Sequence, residues 1–250
     1  MKNLFIIIVS LNGGGELVQL VESLNKEKVS GWEVKILLVN NAVKKLNIIS
    51  DKLKVNIIEN KANLGFARGA NIGVTYALRN QADRILLLNP DTAITPGFLN
   101  GLTESSDDIV SPVIKFKRNH NWIYDYGGKI DWNIGRTYHL ESINKLIDYV
   151  SGCCMLVKRE VFEKIGFFDE NFFLYFEDAD FCFRAKKAGF SIAASSKSFI
   201  VHQLIEGNER SSLKKYHLIR SNFIFINKYM GIKKIIGYLY LSALAIKMFL

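Results

Sequence analysis

The sequence predicts an α/β protein: a mostly parallel central sheet flanked by helices on both faces, with further helices at the C-terminal end. Two observations carry this expectation. Short runs rich in Ile, Leu and Val recur at residues 4–9, 34–39, 55–58 and 85–88, and strands that are apolar on both faces belong to parallel sheets covered by helices. Between these runs apolar residues fall at helical spacing, joined by short polar or glycine-rich links, and that alternation builds βαβ units. With 250 residues, 49% of them hydrophobic, the chain can bury the core of one large domain.

The first strand, which carries Ser10 just beyond it, breaks at Asn12-Gly13-Gly14-Gly15, and Leu17, Leu20, Val21 and Leu24 then mark a helix. These glycines fit a ligand-facing loop or a plain tight turn, since neither the dinucleotide fingerprint nor the P-loop signature is present. Strand 34–39 ends in the polar pair Asn40-Asn41, and 55–58 supplies a third strand. The segment from Asn63 through Gly65, Arg68, Gly69 and Asn71 to Gly73 opens a helix reaching about Asn80. Its small residues allow backbone to approach a ligand or another element closely, and Arg68 offers a planar group with five donors. Nucleotide or diphosphate binding by Asn63, Arg68 and Asn71 stands here beside a packing corner with Arg68 in an ion pair.

The run 85–88 closes with Asn89-Pro90-Asp91. Proline removes a ladder donor and ends the strand, so Asp91 sits just past its carboxyl end. Open parallel sheets bind ligands at that edge; capping of a turn is the other reading. Thr95-Pro96 reads as N-cap and first position of a helix bearing Phe98, Leu99 and Leu102. From Ser111 to about Asp148 the regular alternation stops, and Trp122, Tyr124, Tyr126, Trp132 and Tyr138 with several glycines suggest a hairpin or lid. Stacking on sugar rings and a satellite core beneath a long loop both suit that composition. A strand resumes over 149–157, with Cys153 and Cys154 as buried small residues, and a short helix follows at 159–165.

A mostly aromatic run, 172–176, then leads into Glu177-Asp178-Ala179-Asp180 and a helix stopping at Gly189. Acids at a helix start match its positive end. Asp180 and Arg184, four residues apart, can pair along one face, whereas Asp178 points elsewhere. A carboxylate beside an apolar wall has its pKa raised toward that of a useful base. Simple helix capping is the plainer alternative.

A net charge of +9 favours an anionic partner, but no nucleic-acid motif is present and nucleic acid is not expected. Three cysteines, two of them adjacent, form neither a disulfide framework nor a zinc pattern, which predicts a reducing, cytoplasmic setting. The N-terminal apolar run is too short for a signal peptide. Residues 212–229 form a helical pattern with Lys214, Lys215, His217, Arg220 and Lys228, and 237–250 are strongly apolar. That tail predicts an interfacial helix on anionic lipid, with packing on the domain or on a second subunit as the alternative.

An acid at a strand edge and a second beside an apolar wall fit glycosyl transfer from a nucleotide-diphosphate sugar, which needs charge on the diphosphate and a base for the acceptor hydroxyl. The sequence resembles the inverting glycosyltransferase family 2, its rhamnosyltransferase-like branch in particular. The resemblance rests on residues 8–12, 63–73, 87–91, Ser151-Gly152, 166–170 and 173–189 with Glu177-Asp178 and Arg184. It implies the GT-A nucleotide-diphospho-sugar transferase fold over 1–210, with a nucleotide-sugar half near 1–110, an acceptor half near 111–210 and a basic, apolar helical tail at 211–250. It further implies Asp178 as general base, and Asp91 with His202 as ligands for Mg²⁺ or Mn²⁺. Ser10, Asn12, Asn40, Asn63, Arg68, Asn71, Asn89 and Asp91 would hold a dTDP- or UDP-linked donor. Asn89 stands where the family's Asp-x-Asp motif has its first acid, and Asn40 where many members carry Asp. The implied reaction moves a sugar, rhamnose foremost, onto a lipid-linked or growing surface polysaccharide such as lipopolysaccharide, at the inner face of the cytoplasmic membrane. A homodimer fits the tail. A sugar nucleotidyltransferase and a non-catalytic nucleotide-sugar-binding protein are the competing readings.

Overall fold

The computed structural model describes residues 1–11, 13–46, 55–118, 120–143, 146–203 and 211–249. The chain runs β1 (Lys2–Ser10), α1 (Gly15–Leu24), β2 (Trp32–Asn40), β3 (Val55–Glu59), α2 (Phe66–Arg79), β4 (Arg84–Leu88), β5 (Thr92–Ile94), α3 (Phe98–Thr103) and β6 (Ile109–Arg118). It continues through β7 (Asn121–Asp125), β8 (Gly128–Asp131), β9 (Arg136–His139), β10 (Cys154–Lys158), α4 (Arg159–Ile165), α5 (Glu177–Lys187) and β11 (Ile192–His202). Two helices, α6 (Ser212–Tyr229) and α7 (Lys234–Phe249), follow.

Alternation along each strand divides the core in two. Phe5 and Ile7 of β1, Leu37 and Val39 of β2, and Ile85 and Leu87 of β4 point to the face covered by α2, α4, α5 and Phe225 of α6. Leu4, Ile6 and Ile8, Leu38, Leu86 and Leu88 point to the other, beneath α1 and α3. Both faces are thus buried, as the unbroken apolar runs demand.

The sheet is ordered β3-β2-β1-β4-β10-β6-β11-β5, with β7 paired to β6. Strands β3, β2, β1 and β4 are parallel. Beyond them β10 runs antiparallel between β4 and β6, while β6 and β11 are parallel. The α/β class holds, and the sheet is largely parallel but mixed. Regular structure also extends past Ser111: Ile109 to Ile114 are buried in β6. Ser111 and Pro112 interrupt that apolar run, and the pairing that makes it a strand is non-local. The strand expected over 149–157 is confined to β10, because residues 151–153 form a turn. Helix α3 begins after Gly97, in the left-handed region at φ +81°, rather than at Pro96. Its cap comes from elsewhere, since the Gly97 and Leu99 amides donate to the Glu27 carboxylate at 2.9 and 3.1 Å.

Helix α2 lies against β1 only because of its glycines. A Cβ at Gly73 would stand 2.5 Å from Ile7 Cγ2, and one at Gly69 2.8 Å from Val9 Cγ1. Gly73→Ala is therefore expected to cost about 1–3 kcal/mol through overpacking, outweighing the higher helix propensity of alanine; denaturant titration with an unchanged midpoint would refute this packing account. No helix among the described residues is long and apolar enough to cross a membrane.

Candidate active site

The carboxyl end of β4, strand β9, the turn at 151–153, the start of α5 and the end of β11 meet around a cleft of about 270 Å³. Asn89, His139, Tyr149, Gly152, Asp178 and His202 are among its walls.

The approach to α5 is strained. Tyr175 and Phe176 have φ of +69° and +67°, each costing on the order of 1–3 kcal/mol for residues with side chains. Neighbouring elements hold them there. The Phe66 amide donates to Phe173 O at 2.7 Å, the Ser221 hydroxyl to Leu174 O at 2.8 Å and Arg220 to Asn171 O at 2.8 Å. Phe173 stacks on His217, and Phe176 is buried against Phe225. The aromatic run is thus a clamp that aims the first turn of α5 into the cleft.

Asp178 accepts the Gly152 amide at 2.9 Å and the Ala179 amide at 2.8 Å. Burial raises its pKa more than these two hydrogen bonds and the nearby His139 lower it. Glu177 beside it is buried, and its Oε2 has no hydrogen-bond partner among the described residues. Burial, then the Asp178 charge, pushes Glu177 well above the ordinary carboxylate range. Of the two acids Asp178 alone is hydrogen-bonded by backbone amides, which favours its charged form over that of Glu177. Asp180 is fully buried and committed to structure, bonded to Arg184 at 2.8 Å, Lys228 at 2.6 Å and the Tyr229 hydroxyl at 2.5 Å.

Strand pairing supplies the second group. In the β5–β11 ladder His202 faces Thr92, the Gln203 amide donates to Asp91 O at 2.8 Å, and His202 Nε2 lies 3.2 Å from Asp91 Oδ1. Burial alone would raise the Asp91 pKa, but the His202 hydrogen bond and charge, with Lys214 further off, hold it below the ordinary value. Asn89, two residues before, lines the cleft and ties β4 to the turn through its amide, 2.8 Å from Cys153 O. Cys153 and Cys154 are buried, and burial pushes both thiols well up.

The other candidates lie apart from this cleft wall. Ser10 is buried at the end of β1 in register with Asn40; Asn12 lies outside the described residues. Asn40 donates to Lys44 O at 2.8 Å and Glu59 at 2.5 Å, while its buried Oδ1 has no partner among the described residues. Asn63 accepts the Gly65 amide at 3.0 Å. Arg68 makes an exposed ion pair with Glu170 at 3.7 Å. Asn71 is buried and exchanges hydrogen bonds with the Phe168 backbone at 2.9 and 3.0 Å, so it ties α2 to the loop before α5.

Sequence reasoning missed His139, Asp125 and Asn41. Register in the β8–β9 hairpin sets His139 opposite Gly128, and its Nδ1 meets Asp125 Oδ2 at 2.9 Å. Partial desolvation would lower the His139 pKa, but Asp125 and then Asp178 raise it. The adjacent Asp125-Tyr126-Gly127-Gly128 was the available signal for a turn carrying an acid. Asn41 accepts from the Leu64 amide at 3.2 Å and Asn60 at 3.1 Å, and donates to Gly65 O at 2.9 Å, which shapes the 60–65 loop. The middle aromatics divide between roles. Trp132 packs on Phe183 and Phe225, whereas Trp122 is half-exposed beneath Lys115 and Lys117.

A mixed α/β sheet with acids at its carboxyl edge and at the start of a facing helix fits the GT-A fold of glycosyltransferases that act on nucleotide-diphospho-sugars. The same fold appears in the solved structure of GalNAc-T7 with UDP, GalNAc and Mn²⁺, with a TM-score of 0.73 at 15% identity, covering 95% of this chain and 50% of that one. The model of glycosyl transferase family 2 matches residues 5–166, and the chain belongs to that family. Its relatives include the low-salt glycan biosynthesis hexosyltransferase Agl10 of Haloferax volcanii, 25% identical over 91% of this chain and 76% of that protein. Another is the N-acetylglucosaminyl-diphospho-decaprenol L-rhamnosyltransferase of Mycobacterium tuberculosis, 23% identical over 69% of this chain and 66% of that protein.

Proposed function

We propose that this protein is an inverting glycosyltransferase moving a sugar, rhamnose foremost, from a dTDP- or UDP-linked donor to a hydroxyl of a lipid-linked, growing surface polysaccharide. The observation that carries it is the meeting of Asp178 and His202 at one cleft, with Asp91 bonded to His202 behind it. In this reading residues 1–110 hold the donor and 111–210 the acceptor. Asp178 takes the acceptor hydroxyl proton, the freed oxygen bonds to the anomeric carbon, and the bond from that carbon to the diphosphate oxygen breaks on the opposite face. The aromatic clamp keeps the base aimed at that oxygen.

Among the described residues no three His, Cys, Asp or Glu side chains gather to hold a metal. Two donors do fit. Adjacent vertices of an octahedral ion with bonds near 2.1 Å lie about 3 Å apart, and Asp91 Oδ1 and His202 Nε2 are 3.2 Å apart. Mg²⁺ or Mn²⁺ held there, with diphosphate oxygens completing its shell, would neutralise charge on the leaving group. With Asn89 in place of an acid, binding of the ion leans on the donor itself.

The exposed apolar residues Ile235, Ile236 and Leu239 on α7, among Lys233, Lys234 and Lys247, support peripheral attachment to the inner face of an anionic membrane. A screen of nucleotide sugars for binding and donor hydrolysis, with and without Mn²⁺, tests the assignment; no binding to any of them would sink it. His139→Gln removes the cation that lowers the Asp178 pKa. The acid limb of the kcat/KM profile is then expected to move to higher pH, as is that of Asp125→Asn, and an unmoved limb would exclude this coupling.

A further inference from the structure

A second cavity of about 510 Å³ opens between α6, α7 and β9, a volume in the range of about 300–1,000 Å³ that takes small-molecule ligands. Its walls are mostly carbon, with Leu218 from α6 and Tyr240, Ala243 and Leu244 from α7. Thr137, Phe176 and Leu218 line this groove and the catalytic cleft alike, so the two adjoin beside Phe176, two residues before Asp178. Arg136, next to the shared Thr137, and Lys247 also line the groove, and neither side chain makes an ion pair among the described residues.

The composition is segregated: a polar cleft with a carboxylate, then two uncommitted cations, then an apolar trough. Resting on the proposed transferase reading, we infer that the α6–α7 groove binds the hydrocarbon chain of a glycosyl-diphospho-lipid acceptor. Its diphosphate lies at Arg136 and its sugar hydroxyl at Asp178. Charge complementarity and continuity with the cleft select this occupant. A neutral chain leaves the cations unused, and a free sugar diphosphate leaves the trough empty and its apolar wall in water. The groove then sets acceptor length, by placing the first sugar beyond the diphosphate within reach of the base.

The test uses farnesyl diphosphate as probe. Its binding to the whole protein is measured in the presence of saturating nucleoside diphosphate, chosen from the donor screen, which occupies the donor site. Farnesyl diphosphate is expected to bind at least about tenfold more tightly than inorganic diphosphate, because the chain contributes burial at roughly 25 cal/mol per Å². Ala243→Trp, a change at an exposed residue of α7, fills the trough and should weaken farnesyl diphosphate about tenfold or more. Arg136→Gln, also at an exposed residue, should weaken farnesyl diphosphate while leaving farnesol unchanged. Equal binding of farnesyl diphosphate and inorganic diphosphate, or indifference of the probe to Ala243→Trp, overturns the groove assignment. So does a loss of binding to anionic phospholipid vesicles in place of a loss for the probe, which would make this a membrane-facing surface. Donor hydrolysis that survives such results leaves the transferase reading intact, whereas absence of nucleotide-sugar binding in the unmodified protein removes that reading itself.

Discussion

Asp178→Asn is expected to reduce sugar transfer by about 10²–10⁴-fold, the usual contribution of a positioned general base, while donor affinity stays unchanged. The expectation follows from where the carboxylate is held. Two backbone amides fix it, at 2.9 and 2.8 Å, and asparagine keeps an acceptor for one of them, so the first turn of α5 stays in place. What disappears is the ability to take a proton. The sign of the pH dependence follows in the same way. Burial raises the Asp178 pKa, so the active, deprotonated form is lost as pH falls through a value raised from the ordinary 3.8, and the rate should climb with pH across that window. Asparagine removes the titration, and the residual rate should be flat there. Transfer kinetics together with calorimetric donor binding measure both effects; loss of donor binding in step with activity would show that Asp178 holds the donor instead.

The second large effect concerns stability. Asp180→Ala is expected to cost about 3–5 kcal/mol, the range for removing one partner of a buried ion pair. Asp180 is inaccessible to solvent and gathers Arg184 from its own helix with Lys228 and Tyr229 from α6. Removing it strands cationic donors in a low-dielectric pocket and unpins α6, which carries Phe225 into the core and Ser221 to the aromatic clamp. The companion charges give the pH window. The Lys228 pKa is raised above its ordinary 10.5 despite partial desolvation, by Asp169 and Asp180. This contribution is fully present below 10.5 and fades only as alkaline pH passes the folded value. Burial would raise the Asp169 pKa, but hydrogen bonds from Lys228 and Asn171 together hold it below its ordinary 3.8, so it contributes above 3.8 and is lost in acid. Denaturant unfolding checks the magnitude, and a loss under about 1 kcal/mol would mean that the cluster behaves as a surface pair.

These two acids, two residues apart, show how much of the site was legible in the chain. The pairing of Asp180 with Arg184 follows from helical spacing, and the structure shows it at 2.8 Å. The separate direction of Asp178 follows from the same geometry. Nothing local revealed that Asp180 also binds Lys228 and Tyr229, 48 and 49 residues on. Asn71 shows the converse. Its setting among small residues suggested a ligand contact, yet its amide is spent on the Phe168 backbone.

The sequence by itself determined the four parallel strands, because an apolar run buried on both faces has few other places to go, and it determined where Asn-Pro-Asp would stop β4. It also determined that acids would begin α5, since helix periodicity and capping are short-range properties. Tertiary structure decided β6 and β11, which carry serines, lysines and a proline and become strands through their partners. Ladder register then chose the neighbours: β11 against β5 delivered His202 to Asp91 across 111 residues, and β8 against β9 delivered His139 to Asp125. A shift of one residue would turn each side chain to the opposite face, so these contacts are properties of the paired strands, which no local stretch of sequence contains.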